Sequence, residues 1–392
     1  MATVLAAVHA HGQTPGATTA EFRSYVYRDN SGLTVLTGAA TATAQVSRRV
    51  ELSARLVVDH IDLQRQVLDP ADPGAAAQLT GHHHTDAVTS ASAVAGGGGV
   101  AQKQRYEGTA AVRMADSLGT VPVNGLALIR AGHEPDYRTL SGQLTGGAEF
   151  FKRNTIVSGV LGVGRDSVRP IEEPPGPPER FPAAHSRVSV GAGLAQVLSP
   201  GVLAQLGATA VFQRGTLSNP YRRAVVLPPG ATVGTLFPEV LPSARDRYTA
   251  FMAGTFALGR RTALHLQPGV YADSWGVEAL IPEISVARDF GVESGRWPLV
   301  SVRYRFYRQS GARFHADHYD AVEPQMSGDP RLGPTVDHTA GLDIRWPLFR
   351  RADGLRGLTL DAGYAVSVLD YKADHTGRII GHIPTAAIGG AF

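Results

Sequence analysis

The chain has 392 residues, 43% of them hydrophobic and only 18% charged, with 45 glycines, 25 prolines and no cysteine. A formal charge of +3 spread over scattered arginines gives no case for nucleic acid. No apolar run reaches the ~20 residues of a membrane-crossing helix, and the glycine content argues against a helical bundle. Missing cysteine is compatible with an oxidising cell envelope.

The first residues, Thr3-Val4-Leu5-Ala6-Ala7-Val8-His9-Ala10, resemble the end of a signal peptide with Val8-His9-Ala10 as the cleavage site. The basic segment that should precede it is missing. Residues 1–17 are therefore expected to be a signal-peptide remnant or a disordered arm, and residues 18–392 a single barrel domain.

From there the chain alternates in steps of two. Val50, Leu52, Ala54, Leu56 and Val58 point one way, while Glu51, Ser53, Arg55 and Asp59 point the other. Leu264, Leu266, Val270 and Ala272 oppose His265, Gln267, Tyr271 and Asp273. The same pattern sets Val300, Val302, Tyr304 and Phe306 against Ser301, Arg303, Arg305 and Tyr307. Leu342, Ile344, Trp346 and Leu348 oppose Asp343 and Arg345, and Leu358, Leu360, Tyr364 and Val366 oppose Thr359, Asp361 and Ser367. Such segments are long enough for the about 9–11 residues that cross a bilayer at a tilt.

The connections alternate in length. Short turns fall at Ser47-Arg48-Arg49, Leu118-Gly119-Thr120, Lys152-Arg153-Asn154, Ser199-Pro200-Gly201 and Gly259-Arg260-Arg261. Long connections span 64–104, 169–185, 215–245 and 311–337. Bacterial barrels combine short periplasmic turns with long external loops. Parity then requires an ascending strand over 21–28 before the descending strand over 33–46. The count to the chain's end is about 16 strands, with 14 as the alternative, because 121–131 and 277–288 alternate poorly.

One face carries Glu51, Arg55, Glu107, Arg113, Arg303, Arg305, Asp343, Arg345 and Asp361. A soluble barrel burying so many charges meets a heavy desolvation cost. A wide aqueous lumen keeps them hydrated. The expected fold is thus all-β, a transmembrane antiparallel up-and-down barrel. The final strand reads Phe392, Gly390, Ile388, Ala386 in steps of two, and Phe392 is a candidate signal for the barrel-insertion machinery.

Candidate chemistry is thin. His82-His83-His84 beside Asp86, and His315 and His318 beside Asp317 and Asp320, hold metal-ligating types. His82, His84, His315 and His318 are the candidate ligands for a shared zinc or copper, if the loops meet across the mouth. No other cofactor is expected. No Gly-x-Ser-x-Gly elbow is present and no nucleophile stands out, so no enzyme activity is expected.

Three stretches, Thr85-Asp86-Ala87-Val88-Thr89-Ser90-Ala91-Ser92, Thr216-Leu217-Ser218-Asn219-Pro220-Tyr221-Arg222, and Gly311 to Tyr319 followed by Gly328-Asp329-Pro330-Arg331-Leu332-Gly333, occur in this order. Together they resemble the bacterial domain-of-unknown-function family numbered thirty-five-seventy. The family's Ser-Gly-Ala-Ser-Pro is replaced by Thr89-Ser90-Ala91-Ser92-Ala93. The resemblance implies an outer-membrane protein of a Gram-negative bacterium. It also implies periplasmic thioredoxin-like proteins, lipoproteins or flavinylated proteins as partners, and a part in extracytoplasmic redox or metal handling. The expected function is a pore or export channel for a small solute or peptide. The alternative is a structural or docking barrel that anchors envelope partners.

Overall fold

The computed structural model describes residues 18–63, 101–170, 181–220, 222–291, 298–350, 357–372 and 378–391. Residues 1–17 and Phe392 lie outside them.

The strands are β1 (Thr18–Asp29), β2 (Leu33–Gln45), β3 (Val50–Leu63), β4 (Ala101–Leu118), β5 (Val121–His133), β6 (Tyr137–Phe150), β7 (Thr155–Val168), β8 (Ala183–Ser199) and β9 (Val202–Gly215). They continue as β10 (Arg223–Val226), β11 (Thr235–Pro238), β12 (Ala244–Ala257), β13 (Thr262–Gln267), β14 (Gly269–Asp273), β15 (Glu278–Leu280) and β16 (Glu283–Asp289). The last are β17 (Leu299–Gln309), β18 (Thr335–Arg350), β19 (Gly357–Tyr371) and β20 (Arg378–Ala391). β10 and β11 pair only with each other; the remaining 18 strands form one sheet.

Two staves of that sheet are each interrupted by a proline. Gly254 pairs with Leu266 and Phe251 with Gly269, so the register runs unbroken through Pro268. Pro268 still accepts from the Met252 N–H at 3.1 Å, and Pro282 from the Phe306 N–H at 3.0 Å. Each proline lacks only its own donor, which ends a strand without bending the stave. β13 and β14 are therefore one stave and β15 and β16 another, leaving 16. Every stave is antiparallel to its sequence neighbour, and β1 pairs with both β2 and β20. The barrel is closed and has no free edge.

Short connections collect at one end: 46–49, 119–120, 151–154, 200–201 and 258–261. The ends of β3, β7, β9 and β17 that lead into the long connections lie at the other end. The alternation of short and long connections is as the sequence suggests. The 16 staves match the larger of the two expected counts, and the poorly alternating 121–131 and 277–288 both form staves.

Two faces result. One displays apolar side chains around the circumference: Leu56 is 66% exposed, Ile129 63% and Leu140 59%. Aromatics such as Phe22, Tyr106, Tyr248 and Trp346 lie on it as well. The other face is concave, and it buries polar groups such as Thr37, Asp59 and Asp166 beside a small apolar cluster of Leu33, Val35 and Ile61. A continuous exposed apolar belt is not stable against water, but it is what a bilayer requires of a closed barrel.

Candidate functional site

At the long-connection end two loops fold on one another. In 216–243 the chain forms the β10–β11 hairpin; in 310–334 it forms an irregular arch ending in a single 3-10 turn at Pro330–Leu332, capped by Asp329. Ala224 and Val226 pack on Tyr319 and Met326, with Phe237 and Ala316 against them. A second cluster joins Ala312, Leu332, Leu217 and Phe314 to Tyr271 of the barrel wall and Trp275 of the turn after β14. Backbone bonds tie the loops together. Tyr319 donates its N–H to Val225 at 2.9 Å and accepts from Leu227 at 2.8 Å, while Val240 and Met326 exchange bonds of 2.9 and 3.0 Å. These loops form a lid with its own small core.

Polar groups are sealed inside that lid. Arg222 is fully buried and meets Asp329 at 3.1 Å. Glu239, also buried, accepts from the Asn219 N–H at 2.8 Å and from the Ser327 hydroxyl. The Ser327 hydroxyl in turn accepts from the Asp329 N–H at 3.0 Å. Burial pushes the Glu239 carboxyl up to about 7, the Arg222 charge opposing and the Asp329 charge reinforcing the rise. Burial would raise Asp329 too, but Arg222 and Arg331 outweigh it and hold that carboxyl below the ordinary range.

The concave wall is lined with charge. On β4 and β5 most cations of this face have an acid. Lys103 lies 2.7 Å from both Glu134 and Asp136, and Arg105 lies 2.7 Å from Glu107 and 3.5 Å from Asp59. Arg130 also pairs with Glu107. On the opposite side of the wall Arg245 meets Asp273, and its guanidinium stacks 4.2 Å from the Trp275 ring.

The residues singled out from sequence fall as follows. Glu51 and Arg113 are cross-strand partners 3.8 Å apart, and Arg345 lies 2.7 Å from Asp361. Arg55 stands between Thr41 and Thr109 in the ladders, and Asp343 between Ser301 and Gly363. Arg303 neighbours Ser285 and Gly341; Arg305 neighbours Glu283 and Thr339. Glu107 joins the charge chain on β4. All nine share a face with Asp59 by register. His315 is half-buried in the lid and His318 exposed. His82 and His84 lie outside the described residues, and among the described residues no three metal-ligating side chains converge. The Thr85–Ser92 stretch also lies outside them.

The sequence reading did not single out Arg222, Glu239, Asp329, Arg187, Arg245 or Arg247. Arg222 and Asp329 do stand in the second and third family-like stretches. Arg245 and Arg247 sit at a two-residue spacing, which is the signal that would have placed them on the inner face.

Closed stave order, an apolar convex belt and a charged interior define a transmembrane β-barrel. The chain belongs to the family described as "Protein of unknown function (DUF3570)", whose family model matches residues 2–366. The search of curated proteins finds no match. Among solved structures the chain is similar to a bacterial polysaccharide outer membrane secretin, at 9% identity and a TM-score of 0.49, covering 97% of this chain and 99% of that one. It is also similar to the outer membrane protein opdK from Pseudomonas aeruginosa (8% identity, TM-score 0.41, 96% and 99% covered). A third is the siderophore receptor PirA from Acinetobacter baumannii (10% identity, TM-score 0.44, 91% and 53% covered).

Proposed function

We propose that the protein is a non-enzymatic channel of a Gram-negative outer membrane that passes a small solute or peptide, and that the lid closes its external mouth. The observation that carries this reading is the contrast along the inner wall. Glu51, Arg55, Arg113 and Arg345 line the half towards the short turns and are not sealed off, whereas Thr37, Asp59 and Asp166, towards the long-connection end, are buried. Hydrated charges on the wall of a barrel of this size fit a water-filled lumen. The closing element is made of the protein's own loops, so opening needs only loop rearrangement, and loops are where such motion is cheapest. Periplasmic redox or flavinylated partners, and any link to metal handling, belong to the same proposal; such partners would meet the short-turn end.

The test is single-channel conductance of the full chain in planar bilayers, beside an Arg222→Ala variant that loosens the lid. The expectation is a low or intermittent conductance in the parent and a higher one in the variant. A bilayer no more conductive than a bare one in both cases overturns the channel. It would favour a docking barrel instead, a reading that the tightly packed lid core supports.

A further inference from the structure

Among the described residues, the inner-wall cation Arg247 has a buried Nε with no hydrogen-bond partner. Arg245 and Arg247 follow the two-residue period of β12, and Arg187 reaches the same part of the wall from β8, one strand beyond β9. Asp273 stands directly across the ladder from Arg247, but its carboxylate is already filled. Oδ2 accepts from Arg245 Nε at 2.8 Å and from the Tyr271 hydroxyl at 2.7 Å. Oδ1 accepts from the Trp275 and Val277 N–H groups at 2.9 and 3.0 Å. Asp166 is engaged as well, by His185 at 3.0 Å and Arg187 at 3.6 Å.

Arg247 makes no ion pair or hydrogen bond to any described residue, and its Nε is shut off from water. Arg55 and Arg303, also without ion pairs, are exposed and can be solvated; Arg247 is not so placed. A guanidinium does not shed its proton in a protein, so the charge cannot be removed by titration. A half-buried cation beside two others is held most stably by a counter-ion from solution.

We propose that Arg247 is the anion-holding residue of the lumen, and that the solute it takes carries a carboxylate or phosphate group. Arg187 and Arg245 raise the local positive potential, and the free fork of Arg247 supplies the paired N–H donors that such oxyanions accept. The site lies directly below the lid. Arg247 is three residues from the start of β12 at Ala244, and the neighbouring Arg245 stacks on Trp275, which belongs to the lid's lower core. A solute rising from the short-turn end would be stopped there. The proposal rests on the channel reading for its role in transport; binding itself requires only that the lumen be reachable.

The test titrates benzoate and inorganic phosphate, separately, into the detergent-solubilised full chain, followed by calorimetry and by intrinsic tryptophan fluorescence. Saturable binding of either anion is expected. Arg247→Gln should weaken it roughly tenfold or more, as loss of a charge-assisted hydrogen bond implies. Arg247→Lys should weaken it less, and Arg260→Gln, in a short turn, should leave it unchanged. No saturable binding of either anion by the parent protein, or equal binding by Arg247→Gln, overturns the site. Conductance without anion binding refutes the site and leaves the channel. Anion binding without conductance leaves the site and refutes the channel.

Discussion

Arg222 and Asp329 come from different loops and meet at 3.1 Å with the guanidinium fully buried. Arg222 belongs to the hairpin loop and Asp329 to the arch, so the pair joins the two halves of the lid through its interior. Removing the cation would leave Asp329 buried without its main counter-charge. Arg222→Ala should therefore destabilise the packed lid by about 3–5 kcal/mol. Hydrogen exchange across 216–243 and 310–334 should rise sharply while exchange in the barrel strands stays slow. Equal protection of the loops in the variant would mean that the apolar clusters alone hold the lid.

Glu239 makes the same lid sensitive to pH. Its carboxyl is raised from the ordinary 4.5 to about 7, first by burial, against the Arg222 charge and with Asp329 adding to the rise. Arg223 and Arg331 are the other charged side chains close to this cluster. The packed state binds the proton more tightly than the open state. The stabilisation is thus full below the open-state value and is lost as pH climbs through about 7. The loss is about 3 kcal/mol over that window. Limited proteolysis of the loops should accelerate from acid to mildly alkaline pH, and Glu239→Gln should flatten the profile. A profile equally steep in the variant would assign the effect to another group.

The barrel was legible because a stave announces itself locally. Val50 to Val58 alternate within one segment, and burial of one face needs no knowledge of the rest of the chain. The lid was not, because its logic is non-local. Arg222 reads as a polar loop residue until the arch brings Asp329 to it. Val225 and Val226 carry no alternation, so the β10–β11 hairpin leaves no period-two signature. Arg187, Arg245 and Arg247 each sit at an inner-face position by period, but their grouping depends on the registers of three staves. Pro268 and Pro282 interrupted the pattern without breaking the register, which is why 277–288 looked irregular.

The turn between β6 and β7 holds three consecutive non-glycine residues in the left-handed region, Phe151, Lys152 and Arg153, at φ of 49°, 58° and 71°. Arg153 reaches Glu149 at 3.1 Å, so its side chain has an assignment. Lys152 makes no such contact. Replacing it by glycine removes a steric cost of about 1 kcal/mol, partly offset by the entropy glycine gains when unfolded. Lys152→Gly should therefore raise the urea midpoint slightly or leave it unchanged, whereas Lys152→Val should lower it. A clear loss of stability in Lys152→Gly would show that the side chain contributes something beyond its backbone geometry.

Depth along the convex face gives a direct check on the membrane reading. Leu56 lies mid-strand on β3, 66% exposed, between Ala40 and Gly108 in the ladders. Leu360 is exposed as well but sits near the short-turn end of β19. In a bilayer, arginine at Leu56 should cost about 2–4 kcal/mol, and at Leu360 closer to about 0–1 kcal/mol, because the penalty falls towards the interface. Arginine at Ser53, on the concave face, stays in water and should cost little. Reversible urea unfolding in phospholipid vesicles measures all three. In a soluble barrel with the same exposed convex face, Leu56→Arg and Leu360→Arg would both be nearly neutral, and that outcome would remove the bilayer from the account.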